Sequence, residues 1–599
     1  MKNKSIRKKL NKILDIAPEL KQILNLRDNI DVKKKHIRMF LANLPSYMFD
    51  NNQGIHSLEW LLIRDTITVL ENIIFKRNEQ LAGFSLLQYI DDLLNKDDIQ
   101  DMENPTPGFF AEIGHLLKGI MGKANLYSQT TPTFSKYEGL RASKLRSKDL
   151  SRIADSAHKY LNRYTSGLDE DVIRTRSNNK YRILKYFNAT ELEWGKWRWQ
   201  QQNIIRNVKT LSALINLTDE EYTAVELANR YKIPFGITPY YLSLMDVEPH
   251  RKKDYAVRSQ VIPSIHYVEK MKELRERAEP SMDFMLERDT SPIEGITRRY
   301  PKIAILKPYL TCPQICVYCQ RNWEIEDVFS PNAEITKDKL EKAFLWLESK
   351  PEINEVLITG GDPLLLSNAK LERILFRLSN ISHIERIRIG TRTPVTLPQR
   401  ITDSLVRGIN RFHNPGKREI IIVTHFEHPY EITPQSLRAV QRFRGHGMEV
   451  YNQMVFTFYN SKKFEATELR QKLRTIGVTP YYTFNAKGKE ETNDFRVPIS
   501  RLLQEQEEEA RILPGTVRTD EIVLNVPRLG KNYLRAKQHH DIISILPDGR
   551  RVYEFHPWEK KLSLVDTYVY TDVSIYDYLM RLKAEGENIA NYRTIWYYY

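Results

Sequence analysis

Residues 303–323 read IAILKPYLTCPQICVYCQRNW. The stretch holds Cys312, Cys316 and Cys319 in the spacing C-x3-C-x2-C, and these are the only three cysteines among 599 residues. Thiolates are the ligands that iron–sulfur clusters need. Three on one short loop can hold three irons of a [4Fe–4S] cube and leave the fourth open to an outside ligand. The competing explanations are three buried thiols scattered at random, or a zinc site. Chance does not gather every cysteine within eight positions, and structural zinc usually takes four ligands, typically in C-x2–4-C pairs.

Outward from the loop, the chain repeats a unit of strand, loop and helix. PKIAILKPYL, NEVLITGGDP, RIRIGTRTP, EIIIVTHFEHP, MEVYNQMVF and TPYYTFNA read as strands. Between them KLEKAFLWLESK, LERILFRLSN, TDSLVRGINRF, PQSLRAVQRFRG and ATELRQKLRTIG read as amphipathic helices. Such alternation predicts a parallel sheet with right-handed crossovers, doubly wound or curled into a barrel. Six units point to an α/β fold, a partial (β/α)6 barrel open on one side. Polar residues and glycines gather where each strand ends, at Cys312, Gly360 to Asp362, Arg392, His425, Gln453 and Lys487. In barrels the active site is built from those strand ends.

Upstream, residues 1–185 read as a helical accessory domain. IRKKLNKILDIAPELKQILNL and LEWLLIRDTITVLENIIF space apolar residues by three and four. The PTPG turn near Pro105 breaks the run, and Ser147 reads as a cap for a later helix. A helical lead-in follows over 186–300, where Trp194, Trp197 and Trp199 suit packing better than base stacking. Residues 301–500 are the barrel. Residues 501–599 form a C-terminal part whose ISILPDGRRVYEFHP reads as a hairpin around Asp548-Gly549, and whose aromatic end, YRTIWYYY, suits docking on a core or a partner.

The net charge of +15 admits nucleic acid or anionic substrates. Much of it sits in the first forty residues, where twelve Lys/Arg face four Asp/Glu, as on a solvated helix face. No apolar run approaches a membrane span, and the N-terminus lacks the apolar core of a secretory signal. Three reduced cysteines suit a cytoplasmic protein.

Taken in order, WGKWRWQ, ITPYYLSLMD, DTSPIEGITRRYP, the cysteine loop, ITGGDPLLLS, IRIGTRTPVTLPQRIT, THFEHPYEIT, YNQ, TPYY and DFRVP resemble the lysine 2,3-aminomutase family of radical S-adenosylmethionine (SAM), pyridoxal-phosphate (PLP) enzymes. The resemblance spans about 190–560 and leaves the first 185 residues outside. It implies that Cys312, Cys316 and Cys319 hold a [4Fe–4S] cluster whose open iron binds SAM, and that an electron from the cluster splits SAM to a hydrogen-abstracting radical. It further implies that an amino acid held on PLP moves its nitrogen from Cα to Cβ. Carried over by position, Gly360, Gly361, Asp362, His425 and Gln453 are expected near SAM. Lys531 is the expected PLP-bearing lysine, with Arg299, Tyr300 and, more weakly, Arg392 around the cofactor. Arg321 is expected to fork onto the substrate α-carboxylate. The chain has Ile303 where the family usually has a further arginine.

The distal end of the substrate departs most. Where lysine-specific members place two aspartates, this chain has Lys487 and Asn525. That pair repels an ammonium and suits a distal carboxylate, as in the glutamate 2,3-aminomutase branch. The competing reading has Lys487 in solvent, in a loop that also carries Lys489. The resemblance thus implies a glutamate 2,3-aminomutase of the cytoplasm, served by an electron donor such as flavodoxin or ferredoxin. Alternatives are an aminomutase for lysine, another amino acid or a protein-bound lysine, and an iron–sulfur protein that binds nucleic acid, a partner not favoured here. The C-terminal cysteines that bind zinc in lysine-type members are missing, which leaves a homo-oligomer possible but unspecified.

Overall fold

The computed structural model describes residues 2–51, 56–96, 102–127, 131–249, 253–277, 282–486, 488–536 and 539–599. Nine strands stand side by side in chain order: β1 (Ile296–Thr297), β2 (Ile303–Tyr309), β3 (Glu355–Gly360), β4 (Arg386–Gly390), β5 (Glu419–Thr424), β6 (Glu449–Phe456), β7 (Thr479–Asn485), β8 (Glu521–Val526) and β9 (Gly530–Tyr533). From β2 to β8 every neighbouring pair is parallel, while β1 runs antiparallel to β2. The sheet curls into a partial barrel. Its strands are rich in Ile and Val because helices cover the outer face, and Val356, Ile358, Ile387, Ile389, Ile420 and Ile422 are wholly buried.

The six expected strands are present as β2 to β7. The seventh parallel strand, β8, escaped the repeat because its crossover is irregular: after β7 the chain runs through the helix Ile499–Glu509 before returning. Crossover helices Lys337–Glu348, Asn368–Ser379, Asp403–Asn410 and Pro434–Arg444 start where Thr336, Ser367, Thr402 and Thr433 accept a backbone N–H from the first turn. At the strand starts, Arg386 bridges Glu355 on β3 and Glu419 on β5, both at 3.0 Å, so registered neighbours carry alternating charge.

The chain forms two compact units that do not follow its linear divisions. Ala157–Arg496 with Glu509–Lys531 carries the barrel; Met1–Ser156, Val497–Glu508 and Asn532–Tyr599 make up the other. In this second unit, N-terminal helices share a core with the tail. The tail's strands β10 (His540–Ile545), β11 (Arg551–Phe555) and β12 (Tyr568–Thr571) form an antiparallel sheet. The hairpin turns at Gly549, whose φ of +83° a side chain would resist. Arg551 on β11 pairs with buried Glu112 at 3.1 Å, and Arg77 reaches Glu554 at 2.7 Å. The aromatic terminus docks on this core: Trp596 stacks on His115 with centroids 4.7 Å apart, and Arg551 donates to the Trp596 and Tyr598 carbonyls.

One expected cap is corrected. Ser147 lies inside the helix Gly139–Leu161, which begins two turns earlier. The three tryptophans pack within the barrel unit: Trp194 is buried, Trp199 leans on it and on Phe187, and Trp197 lies under Arg400 at 4.7 Å. Among the described residues no helix is long and apolar enough to cross a membrane.

Candidate active site

The loop after β2 brings the three cysteines to the strand-end rim. Each side chain is half-buried. Burial pushes all three thiols up, Cys316 to about 11, and neighbouring cysteines add to the rise at Cys312 and Cys316. Donors are aimed at the sulfurs. The Arg392 guanidinium donates to Cys316 Sγ at 2.7 Å, and the Arg321 backbone N–H donates to Cys319 Sγ at 3.4 Å. Such donors favour thiolates once a metal replaces the protons. Among the described residues no three His, Cys, Asp or Glu side chains gather around a single ion.

Gly360 and Gly361 are where β3 meets this loop. A Cβ on Gly361 would lie 2.1 Å from the Thr311 carbonyl oxygen; Gly360, at φ +113°, would put one 2.8 Å from the Tyr309 carbonyl. Only glycine lets the two backbones touch. Asp362 closes the joint. Its buried carboxylate accepts from the hydroxyls of Thr391 and Thr393 and from the N–H groups of Leu364, Arg392 and Thr393, at 2.7–3.1 Å. That uses the acceptor capacity of a carboxylate, so Asp362 fastens the strand ends together.

His425, just past the end of β5, meets Gln453 inside β6. Burial lowers His425 to about 4, helped by Arg392 and opposed by a hydrogen bond to the Gln453 backbone, so its ring is neutral at physiological pH. Beside them stands Glu427, pushed up to about 8 by burial, pulled back by Arg392 and raised further by Glu431. Its Oε2 accepts from the Val455 N–H at 2.8 Å, and its Oε1 is buried without a hydrogen bond.

Arg392 was expected around PLP and is placed elsewhere. Its guanidinium bonds to Cys316, to the His425 carbonyl, to Gln260 and to Glu431 at 2.7 Å, so it belongs to the cysteine corner. The reason is topological: Arg392 follows β4 directly, and its own backbone N–H is clasped by Asp362.

The second corner is built on β9. Lys531 Nζ lies 4.9 Å from the Tyr300 ring centroid, 4.7 Å from that of Tyr482, and 3.4 Å from the Tyr300 hydroxyl. Burial lowers its ammonium to about 7, with Arg388 and Arg299 adding repulsion and Glu355 opposing. Gly530, at φ +112°, makes the approach feasible, because a Cβ there would sit 2.5 Å from the Tyr300 hydroxyl oxygen. Arg388 on β4 is buried, pairs with Glu355 at 2.5 Å, and leaves its Nε without a hydrogen-bond partner.

Glu287 joins the two corners. It takes Arg299 at 2.9 Å, Arg321 at 2.8 Å and Lys307 at 3.3 Å, and Lys307 also holds Glu324 at 2.6 Å. Although burial pushes the Glu287 carboxyl up, Arg321, Arg299 and Lys307 together hold it well below the carboxylate range. Three cations against two carboxylates leave one positive charge. Glu287 occupies the Nε edge of Arg321, so an incoming carboxylate meets the Nη1 side.

A model of the radical SAM superfamily matches residues 306–468. An uncharacterized KamA family protein of Methanocaldococcus jannaschii is 43% identical over 612 positions, covering 98% of this chain and 97% of its own. This chain belongs to the KamA family. A glutamate 2,3-aminomutase of Clostridioides difficile is 35% identical over 60% of this chain and 79% of its own. An L-lysine 2,3-aminomutase of Methanococcus maripaludis is 34% identical over 54% and 72%.

Radical SAM membership of this KamA-family chain implies a [4Fe–4S] cluster and SAM, and the residues fit both. Three thiols with donors aimed at them suit the cluster. Glu427, raised by burial beside neutral His425, suits a cationic cofactor whose charge would offset that burial. At the distal end, Asn525 is half-buried on β8, and Lys487 lies outside the described residues. The loop's second lysine, Lys489, is buried: its ammonium pairs with Glu491 at 2.7 Å and with Asn322, just past the cysteines. Glu287, Arg388 and Glu427 were not legible beforehand, since each acts through partners distant in sequence, and Lys489 was legible only as the second lysine of its loop. Tyr482 had a signal, the PYY of β7, without a stated role.

Proposed function

We propose that this KamA-family chain is a radical SAM, PLP-dependent 2,3-aminomutase whose substrate is L-glutamate, moved to β-glutamate. The observation that carries the reading is Lys531: a half-buried amine, lowered to about 7 by burial, between two tyrosine rings. A lysine that is to hold PLP must present a free amine, and desolvation supplies one. When bound, PLP supplies a conjugated π system across which nitrogen can move, while SAM and the cluster supply a hydrogen-abstracting radical.

The chain's own residues do the rest. Tyr300 and Tyr482 wall the Lys531 amine from water, and Gly530 allows Tyr300 close. The unpaired Nε of Arg388 and the positive charge left in the Glu287 cluster suit the phosphate of PLP. Arg321, on the same cluster beside Cys319, suits the α-carboxylate of the amino acid, which would then lie between the two corners. Arg392 holds Cys316 and the Gln260–Glu431 pair in place. At the distal end, Lys487 and Asn525 suit a second carboxylate and oppose an ammonium.

The test is Lys531→Ala, assayed for retention of PLP absorbance on the protein through gel filtration. The wild type should keep stoichiometric PLP and the variant none. Equal retention by both would remove Lys531 from the role. Glutamate against lysine is decided by Lys487→Asp, which should weaken conversion of glutamate; an unchanged rate would set the distal assignment aside.

A further inference from the structure

Two loops that leave strands far apart in the sheet are pinned together beside the cysteines. The stretch 488–492 follows β7 and Asn322 lies in the turn after β2, with β3 to β6 between those strands. Along 489–491 the side chains alternate. Glu490 is exposed and pairs with Lys270 at 2.7 Å, whereas its neighbours Lys489 and Glu491 are buried, at 4% and 2% exposed. The Lys489 ammonium pairs with Glu491 at 2.7 Å and donates to Asn322 Oδ1, while Asn322 Nδ2 donates to Glu491 Oε1 at 2.9 Å. Three buried polar groups thus close a triangle. Its surroundings are apolar: Asn322 also touches Met271 Sδ at 3.4 Å, and Met271 belongs to a core with Tyr267, Val317 and Phe495.

An ion pair in such surroundings adds little net stability, since apolar side chains of similar volume would serve as well. What it fixes is the place of a charge. Asn322 passes the hold to the cysteine turn: its backbone N–H donates to the Cys319 carbonyl at 3.3 Å, next to the Arg321 N–H that donates to Cys319 Sγ. The ammonium is felt there. Burial pushes the Cys319 thiol up, and the Arg321 N–H and the Lys489 charge draw it back. Cluster potentials follow the charge and hydrogen bonds around the sulfurs, and a cation in a low-dielectric setting favours the more negative, reduced form. We propose that Lys489 is a positioning residue of the cluster corner. Held by Asn322 and Glu491, its ammonium stabilises the cluster once one electron has passed from a one-electron donor to [4Fe–4S]2+, giving [4Fe–4S]+. Glu491 limits that effect. The inference rests on the cluster that radical SAM membership implies and not on the identity of the amino acid substrate.

The experiment is an anaerobic redox titration of the full-length protein, reconstituted with iron and sulfide and followed by the electron paramagnetic resonance of the reduced cluster, without SAM. Lys489→Met should make reduction harder by about 10-fold in its equilibrium, a fall of about 59 mV for one electron. Glu491→Gln keeps the ammonium and removes its counter-charge, so its midpoint should rise. Lys489→Arg should stay near the wild type. Damage to packing alone would move Lys489→Met and Glu491→Gln in the same direction. Midpoints that move together, or no shift in either variant, would overturn the inference. Should Lys489→Met take up no cluster, Glu491→Gln decides: a rise supports the assignment, and a fall or no change overturns it. A wild type that binds no iron would overturn it together with the cluster.

Discussion

Lys531 sits in a hairpin whose chemistry is set by what surrounds the amine. Its acidity, lowered to about 7, makes its reactivity pH-dependent in a stated direction. PLP attachment should rise with pH through a midpoint near 7, whereas an ordinary lysine would still be almost wholly protonated there. Rates of PLP uptake followed by absorbance from pH 5.5 to 9 check this, and a midpoint near 10 would contradict it. The same shift acts on stability. A lysine depressed in the fold releases a proton on folding, so apo-protein stability should climb between pH 7 and 10, by at most about 1.4 kcal/mol per unit. Lys531→Met should flatten that climb. Glu287 works with the opposite sign. Its carboxyl, held low by three cations, stabilises the fold above the ordinary carboxylate range and loses that contribution as pH falls through its own lowered pKa. Glu287→Gln should cost about 3 kcal/mol or more at pH 7, because Arg299, Arg321 and Lys307 lose their shared partner; denaturant titration measures it. The three cysteines were legible at this scale because their signal is local spacing. Glu287 was not, since its partners lie up to 34 residues away and nothing adjacent marks one glutamate among 76 acidic residues.

Strands and their turns decide which of these side chains can meet. Apolar strand segments alternating with capped helices made β2 to β7 readable, because each unit carries its own start and stop signals. The strand β8 was hidden by the long excursion before it, and the place of Arg392 by the clasp of Asp362, a contact across 30 residues. The first residue of β9 offers a direct test. Gly530→Ala adds a methyl 2.5 Å from the Tyr300 hydroxyl oxygen at φ +112°. We expect a destabilisation of about 1–3 kcal/mol together with weakened PLP retention, because Tyr300 must move. Normal retention would show that the contact does not position the lysine.

At the level of the molecule, the chain is threaded so that its two ends share a core. Glu112 and Arg551 are 439 residues apart and form one buried pair; no local pattern could announce it, and the sequence showed only that the aromatic end suits docking on a core or a partner. Removal of residues 1–156 should leave β10 to β12 without their helical cover. We expect the truncated protein to expose its tail to rapid proteolysis, and a tail as resistant as in the full chain would contradict the shared core. Glu112→Gln should lower the thermal midpoint by several degrees through the unpaired Arg551.

The aminomutase reading brings the two corners of the barrel unit to one substrate, and product analysis tests it most directly. The protein would be reconstituted anaerobically with iron, sulfide and PLP, given SAM and a reductant, and offered glutamate and lysine in separate reactions. Conversion of glutamate alone to its β-amino isomer is the expected result. Conversion of lysine alone would contradict the distal assignment, and formation of 5′-deoxyadenosine with neither amino acid rearranged would contradict the proposed substrate class.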